Sequence, residues 1–113
     1  MSDKNTITIT DADFESIVAS DTPTLVDFWA DWCGPCHALA PTIEELTGRY
    51  EGVVKVAKIE IDANPNTAAV HAIRSIPTVV IFQDGKAVEE LVGAQPREAY
   101  EKALERLLSP SQS

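Results

Sequence analysis

The chain has 113 residues, 44% of them hydrophobic, with eighteen acidic against nine basic residues and a formal charge of −9. That length suits one small domain spanning 1–113, with an apolar content that argues against disorder. The charge gives no basic face for nucleic acid, and no apolar run reaches membrane-spanning length, so neither partner is expected.

In chain order, Ile7 and Ile9 alternate with threonines and predict a short strand. Thr10 with Asp13 resembles a capping box, after which Phe14, Ile17 and Val18 share one helical face. The dense apolar run 24–30 predicts a buried strand. A helix is expected over 34–50, with Cys36, Leu39, Ala40, Ile43 and Leu46 at helical spacing and Pro41 inside it as a kink. Residues 53–61 predict another strand, and Asn64-Pro65 caps and starts a short helix. Segments 78–82 and 87–92 flank Asp84-Gly85, a strong hairpin signal. A last helix begins near Pro96, with an apolar stripe of Tyr100, Ala103, Leu104, Leu107 and Leu108 and a Glu98–Lys102 surface pair. The order β-α-β-α-β-α-β-β-α predicts an α/β fold: a central five-stranded mixed sheet with four helices on both faces. Strands joined through helices are expected to pair in parallel, and the hairpin to add an antiparallel edge. The ordered core is expected over about 6–108, with a polar tail at 109–113. The start, Met1-Ser2-Asp3-Lys4-Asn5, lacks an export-signal pattern. The chain as given is therefore expected in the cytoplasm, although a processed precursor would read the same.

The only two cysteines, Cys33 and Cys36, fall where the second strand ends and a helix begins. Two thiols three residues apart on a first helical turn close a disulfide with little backbone movement. Unpaired N–H groups and the helix dipole stabilise a thiolate there. Cys33 precedes the helix proper and is expected to be the more exposed, attacking sulfur; Cys36 lies on the apolar face and is expected to resolve the mixed disulfide. Pro35 stiffens the loop and Gly34 admits a substrate backbone. Two other chemistries share these residues. Cys33-Gly34-Pro35-Cys36-His37 matches the c-type haem attachment pattern, but the only Met is Met1, leaving His71 as second ligand, and no export signal is visible. Cys33, Cys36, His37 and His71 offer four zinc donors, but adjacent Cys36 and His37 is not zinc-finger spacing. No metal and no bound cofactor are expected.

Asp27 interrupts an apolar strand on the face of Leu25 and Trp29. A carboxyl buried there would have a raised pKa and invite a functional reading; a strand-edge Asp reaching water is the alternative. Lys58 stands alone among the apolar residues of the next strand, as a partner for Asp27 or as a lysine that snorkels to solvent. Pro77 opens a strand-like run, a place where proline is tolerated.

Taken together, Val26-Asp27-Phe28-Trp29-Ala30, Trp32-Cys33-Gly34-Pro35-Cys36 with Pro41, Lys58-Ile59-Glu60-Ile61-Asp62, Asn64-Pro65, Ile73-Arg74-Ser75-Ile76-Pro77-Thr78, Asp84-Gly85 and Val92-Gly93-Ala94 resemble the thioredoxin family across about 7–108. The resemblance implies the thioredoxin fold and a general protein-disulfide reductase, working as a monomer by dithiol–disulfide exchange. It implies that Cys33 attacks, that Cys36 resolves, and that Asp27 with Lys58 handles the proton of Cys36. Pro77 would be cis and lie against the disulfide. Trp32, Gly34, Pro35, Ile76, Pro77, Gly93 and Ala94 would form an apolar surface on which an extended client docks. An NADPH-dependent thioredoxin reductase would restore the dithiol. Two departures are His37, where family members usually carry Lys or Arg, and Ser75, where some have Gly. The competing class is a thioredoxin-like binding module with an incidental dithiol; the intact Gly-Pro dithiol and Asp27 disfavour it.

Overall fold

Among the described residues, five strands and four helices follow one another as the sequence pattern predicts. The computed structural model describes residues 5–109, so Met1 and residues 110–113 of the expected tail lie outside the described residues. β1 is Ile7–Thr8, α1 Phe14–Val18, β2 Thr24–Trp29, α2 Gly34–Arg49 and β3 Lys55–Glu60. α3 is Pro65–Val70, β4 Thr78–Gln83, β5 Lys86–Val92 and α4 Arg97–Leu108. The sheet order is β1-β3-β2-β4-β5, with β1, β3 and β2 parallel and β4 and β5 each antiparallel to its neighbours.

Residue alternation along β2 divides the core into two layers. Leu25 packs with Leu39, Ile43 and Leu46 of α2 and with Tyr100, Ala103 and Leu104 of α4. Val26 and Phe28 face the other way, onto Phe14 and Val18 of α1 and Ala68 of α3. All four helices are thus anchored through a strand that is buried on both faces, which is why β2 reads as a continuous apolar run. Ion pairs reinforce the α2–α4 contact: Arg49 to Glu101 at 3.1 Å and Arg97 to Glu45 at 3.1 Å. Within α4 the ion pair is Arg97–Glu101, rather than the expected Glu98–Lys102.

Three local expectations need correction. β4 follows β3 through a helix yet runs antiparallel to β2. A six-residue helix rises only about 9 Å, whereas a six-residue strand spans about 20 Å. α3 therefore stays at the end of the sheet where β2 and β3 finish, and the chain re-enters from that end. At α1, Thr10 is not the capping residue. Asp13 is the N-cap, and its Oδ1 instead accepts from the Thr10 N–H at 2.7 Å and the Thr10 hydroxyl at 3.0 Å. At α3, the Asn64 side chain makes no cap bond to the helix. Asp11, in the turn before α1, accepts from the N–H groups of Asn66 (3.1 Å) and Thr67 (2.8 Å) and from the Thr67 hydroxyl (2.7 Å). The hairpin forms as read: Asp84 and Gly85 both have positive φ, 56° and 79°, which a tight two-residue turn requires.

Candidate functional site

The dithiol lies beyond the end of β2, near where β4 starts, with Asp27 and Lys58 inside β2 and β3 leading toward it. Cys33 is the N-cap of α2, in extended backbone, with Pro35 in the first turn. Cys33 and Cys36 form a disulfide with Cα atoms 5.3 Å apart. The Cys36 N–H donates to Cys33 Sγ at 3.2 Å. This is the contact that would hold negative charge on that sulfur once the bond opens. Exposure does not separate the two cysteines as expected, since Cys33 is 4% and Cys36 3% exposed. In the disulfide, Cys33 packs inward with Ala30, Ile61 and Ile76, and its sulfur lies 3.9 Å from the Ile76 carbonyl oxygen. What distinguishes Cys33 is its place at the helix start beside the exposed Trp32, Gly34 and Pro35. A side chain built at Gly34 would meet nothing within 4 Å, so packing within the chain does not demand a glycine there.

Asp27 is 2% exposed, on the β2 face that looks toward α2 and α4, and its Oδ1 has no hydrogen-bond partner. Burial raises its pKa from 3.8 to about 7, against the opposing charge of Lys58. Lys58 is its register neighbour on β3. The Lys58 ammonium lies 4.7 Å from the centroid of the Trp29 ring, a cation–π contact at the same strand end. The carboxyl is therefore poised to change charge near neutral pH.

The surrounding loops are tied down. Trp32 is 69% exposed, and its indole Nε1–H donates to Asp62 at 2.7 Å. His37 Nε2 lies 2.6 Å from the Asp31 carbonyl oxygen, and its ring meets Trp29 edge-on. The Ile76-Pro77 bond is cis. Pro77 is buried rather than displayed, while Ile76 is half-buried. The Gly93 N–H donates to the Pro77 carbonyl at 2.8 Å, and φ of +83° makes glycine the natural residue there. Ala94, next along, is exposed. The 93–95 segment is held in turn from α4, where the Tyr100 hydroxyl accepts from the Gln95 N–H at 3.0 Å.

The thioredoxin family model matches residues 5–106. The chain belongs to the thioredoxin family. It is 50% identical over 101 residues to a thioredoxin from Synechocystis sp., covering 88% of this chain and 94% of that one. It is 48% identical over 102 residues to a thioredoxin from Staphylococcus aureus, covering 90% and 97%. Like its family, the protein is a protein-disulfide oxidoreductase that works by dithiol–disulfide exchange through Cys33 and Cys36, on client proteins that carry disulfides.

The family fold does not assemble the four zinc donors weighed above. His71 meets Phe14 at a tilt and Phe82 edge-on, at ring-centroid distances of 5.2 and 5.1 Å, in the layer opposite α2. No helix among the described residues is long and apolar enough to cross a membrane. Two contacts at the site escaped the sequence reading. Asp62 as partner of Trp32 joins two loops 30 residues apart and has no periodic signal. Tyr100 was legible as core, and its hydroxyl was the overlooked signal, because a buried phenol needs a hydrogen-bond partner.

Proposed function

We propose that reduced Cys33 attacks a client disulfide and that Cys36 completes the exchange. The Cys33 thiolate forms a bond to one client sulfur, and the other leaves as a thiolate. Cys36 then loses its proton, attacks the Cys33 sulfur and expels the second client thiolate. Two electrons pass to the client, and the Cys33–Cys36 disulfide remains. The observation that carries this assignment is the Cys36 N–H aimed at Cys33 Sγ across the helix N-terminus. Asp27 is the acceptor for the Cys36 proton: it is buried on the face toward α2 and its pKa stands near neutrality. Lys58 tunes that acceptor. The client lies extended across Trp32, Gly34, Pro35, Ile76, Pro77, Gly93 and Ala94, of which Trp32, Gly34, Pro35 and Ala94 are exposed, Ile76 and Gly93 half-buried and Pro77 buried.

On this reading the protein acts as a monomer in the cytoplasm, without bound cofactor, and an NADPH-dependent thioredoxin reductase returns it to the dithiol. The family's known chemistry supports the reductase, since a two-electron carrier needs a donor. The decisive experiment compares two serine variants on insulin with dithiothreitol. Cys33→Ser is expected to abolish turnover, and Cys36→Ser to accumulate client covalently linked through Cys33. Covalent capture through Cys36 in the Cys33→Ser protein, with none in the other, reverses the assignment.

A further inference from the structure

We propose that the hydroxyl of Tyr100 is a positioning group for client docking, fixing the Gly93–Gln95 backbone beside the disulfide and so setting affinity for polypeptide disulfides. The inference deepens the docking reading above and rests on it. Tyr100 is fully buried in the α2–α4 layer, where an aliphatic side chain would fill the same space. A phenol in that place must find a partner for its oxygen or lose hydration without compensation. Its partners lie in one short segment. The Gln95 N–H donates to Tyr100 Oη at 3.0 Å, and the hydroxyl reaches the Gly93 carbonyl at 3.5 Å.

Two further bonds finish the segment. The Gln95 side-chain amide donates to the Val92 carbonyl at 2.8 Å, and the Gly93 N–H donates to the Pro77 carbonyl at 2.8 Å. Because Cys33 Sγ lies 3.9 Å from the Ile76 carbonyl, the contacts run continuously from the α4 core to the dithiol. Burial raises the Tyr100 pKa above the ordinary phenol value, with the Gln95 N–H pulling the other way. Tyr100 touches neither the sulfurs nor the client. It acts by keeping Gly93 and Ala94 where an extended main chain meets them. A small disulfide without a polypeptide chain makes no use of that segment.

The test uses the full-length reduced chain in single-turnover mixing, with insulin and with 5,5′-dithiobis(2-nitrobenzoate) as oxidants. Tyr100→Phe keeps the ring and removes the oxygen. The half-saturating insulin concentration is expected to rise about threefold to tenfold, the range of one or two hydrogen bonds. The limiting rate and the rate with the small disulfide are expected to stay within about twofold, and the Gln95 amide is expected to exchange with solvent faster. Unchanged half-saturation, or an equal fall in the small-disulfide rate, overturns the proposal. Tyr100→Leu is the second variant, and either one that keeps native far-UV dichroism is decisive. Failure of both to fold assigns the hydroxyl to folding and also overturns it. Ala94→Glu separates the two readings. If it leaves insulin half-saturation unchanged, the docking reading fails and the Tyr100 proposal falls with it. If it raises half-saturation while Tyr100→Phe does not, only the Tyr100 proposal fails.

Discussion

Two aspartates, Asp11 and Asp27, lie on either side of the same sheet with opposite electrostatic fates. Asp11 accepts three hydrogen bonds at the start of α3, and the Thr67 hydroxyl foremost among them pulls its pKa below the ordinary value. Asp27 is buried with an unpartnered oxygen, and burial lifts its pKa to about 7. One carboxylate ties α1's approach to α3; the other makes the fold less stable when ionised. Raising a carboxyl from 3.8 to about 7 amounts to about 4 kcal/mol at about 1.36 kcal/mol per pH unit. That is a large fraction of the stability of a small domain, so Asp27 is the one whose retention calls for chemistry rather than architecture.

The largest expected effect comes from removing Asp27. In Asp27→Ala, resolution of a trapped mixed disulfide at neutral pH is expected to slow by roughly a hundredfold, the low end of a general base's contribution. Stopped-flow release of a labelled client peptide measures it, and an unchanged rate from pH 6 to 8 removes Asp27 from the mechanism. The same variant is expected to be more stable than the parent above pH 7, with about 4 kcal/mol as the ceiling. Because the folded pKa is raised, the parent's contribution from this group is fully present below about 3.8 and is lost as pH rises through about 7. Urea unfolding across pH 4–9 should therefore show the parent losing ground to the variant over that window. A gap that does not change with pH contradicts the assignment of the charge to Asp27.

Asp11→Asn is expected to do the reverse and to do less. Its folded pKa is lowered, so its stabilising contribution is present above the unfolded value and lost as pH falls through the folded one. The variant keeps one oxygen acceptor but loses the charge and the second acceptor, so it should melt slightly lower at pH 7, by at most a few degrees, and the gap should close in acid. Client reduction is expected to stay within about twofold. A drop in activity as large as the Asp27 effect would break the division between the two aspartates.

This contrast also marks where the sequence was sufficient. Asp27 was legible because a charge inside 24–30 breaks an otherwise apolar run, and strand alternation assigned it a face. The dithiol, the Asp84-Gly85 hairpin and the start of α2 were legible for the same reason: local spacing determines them. Asp11 was not, because its partners Asn66 and Thr67 are 55 and 56 residues away, and the sequence offers Asn64 as a plausible local cap. The antiparallel entry of β4 is not legible in strand–helix alternation alone, because it depends on the shortness of α3. The expectation of an exposed Cys33 sulfur failed because the disulfide, packed on Ala30, Ile61 and Ile76, turns that side chain inward. Tyr100's hydroxyl stands out only once its burial is known, because a tyrosine in an apolar helical stripe reads as core.

The smallest expected effect sharpens the account of Asp27. Lys58 is the one opposing influence on its raised pKa, and its ammonium is drawn to the Trp29 ring at 4.7 Å. In Lys58→Met the stem volume and apolar packing are largely kept while the charge is removed. The Asp27 carboxyl then loses its favourable neighbour, so its pKa is expected to move further up, by less than about one pH unit for a charge held off by a ring. Resolution of the mixed disulfide should consequently weaken on the acid side of neutrality and recover at higher pH, with the same plateau rate. The pH midpoint of the resolution rate, measured in parent and variant under one ionic strength, decides it. A midpoint that moves down, or a plateau that falls with no change in midpoint, makes Lys58 a structural neighbour of Trp29 and leaves burial alone to set the acidity of Asp27.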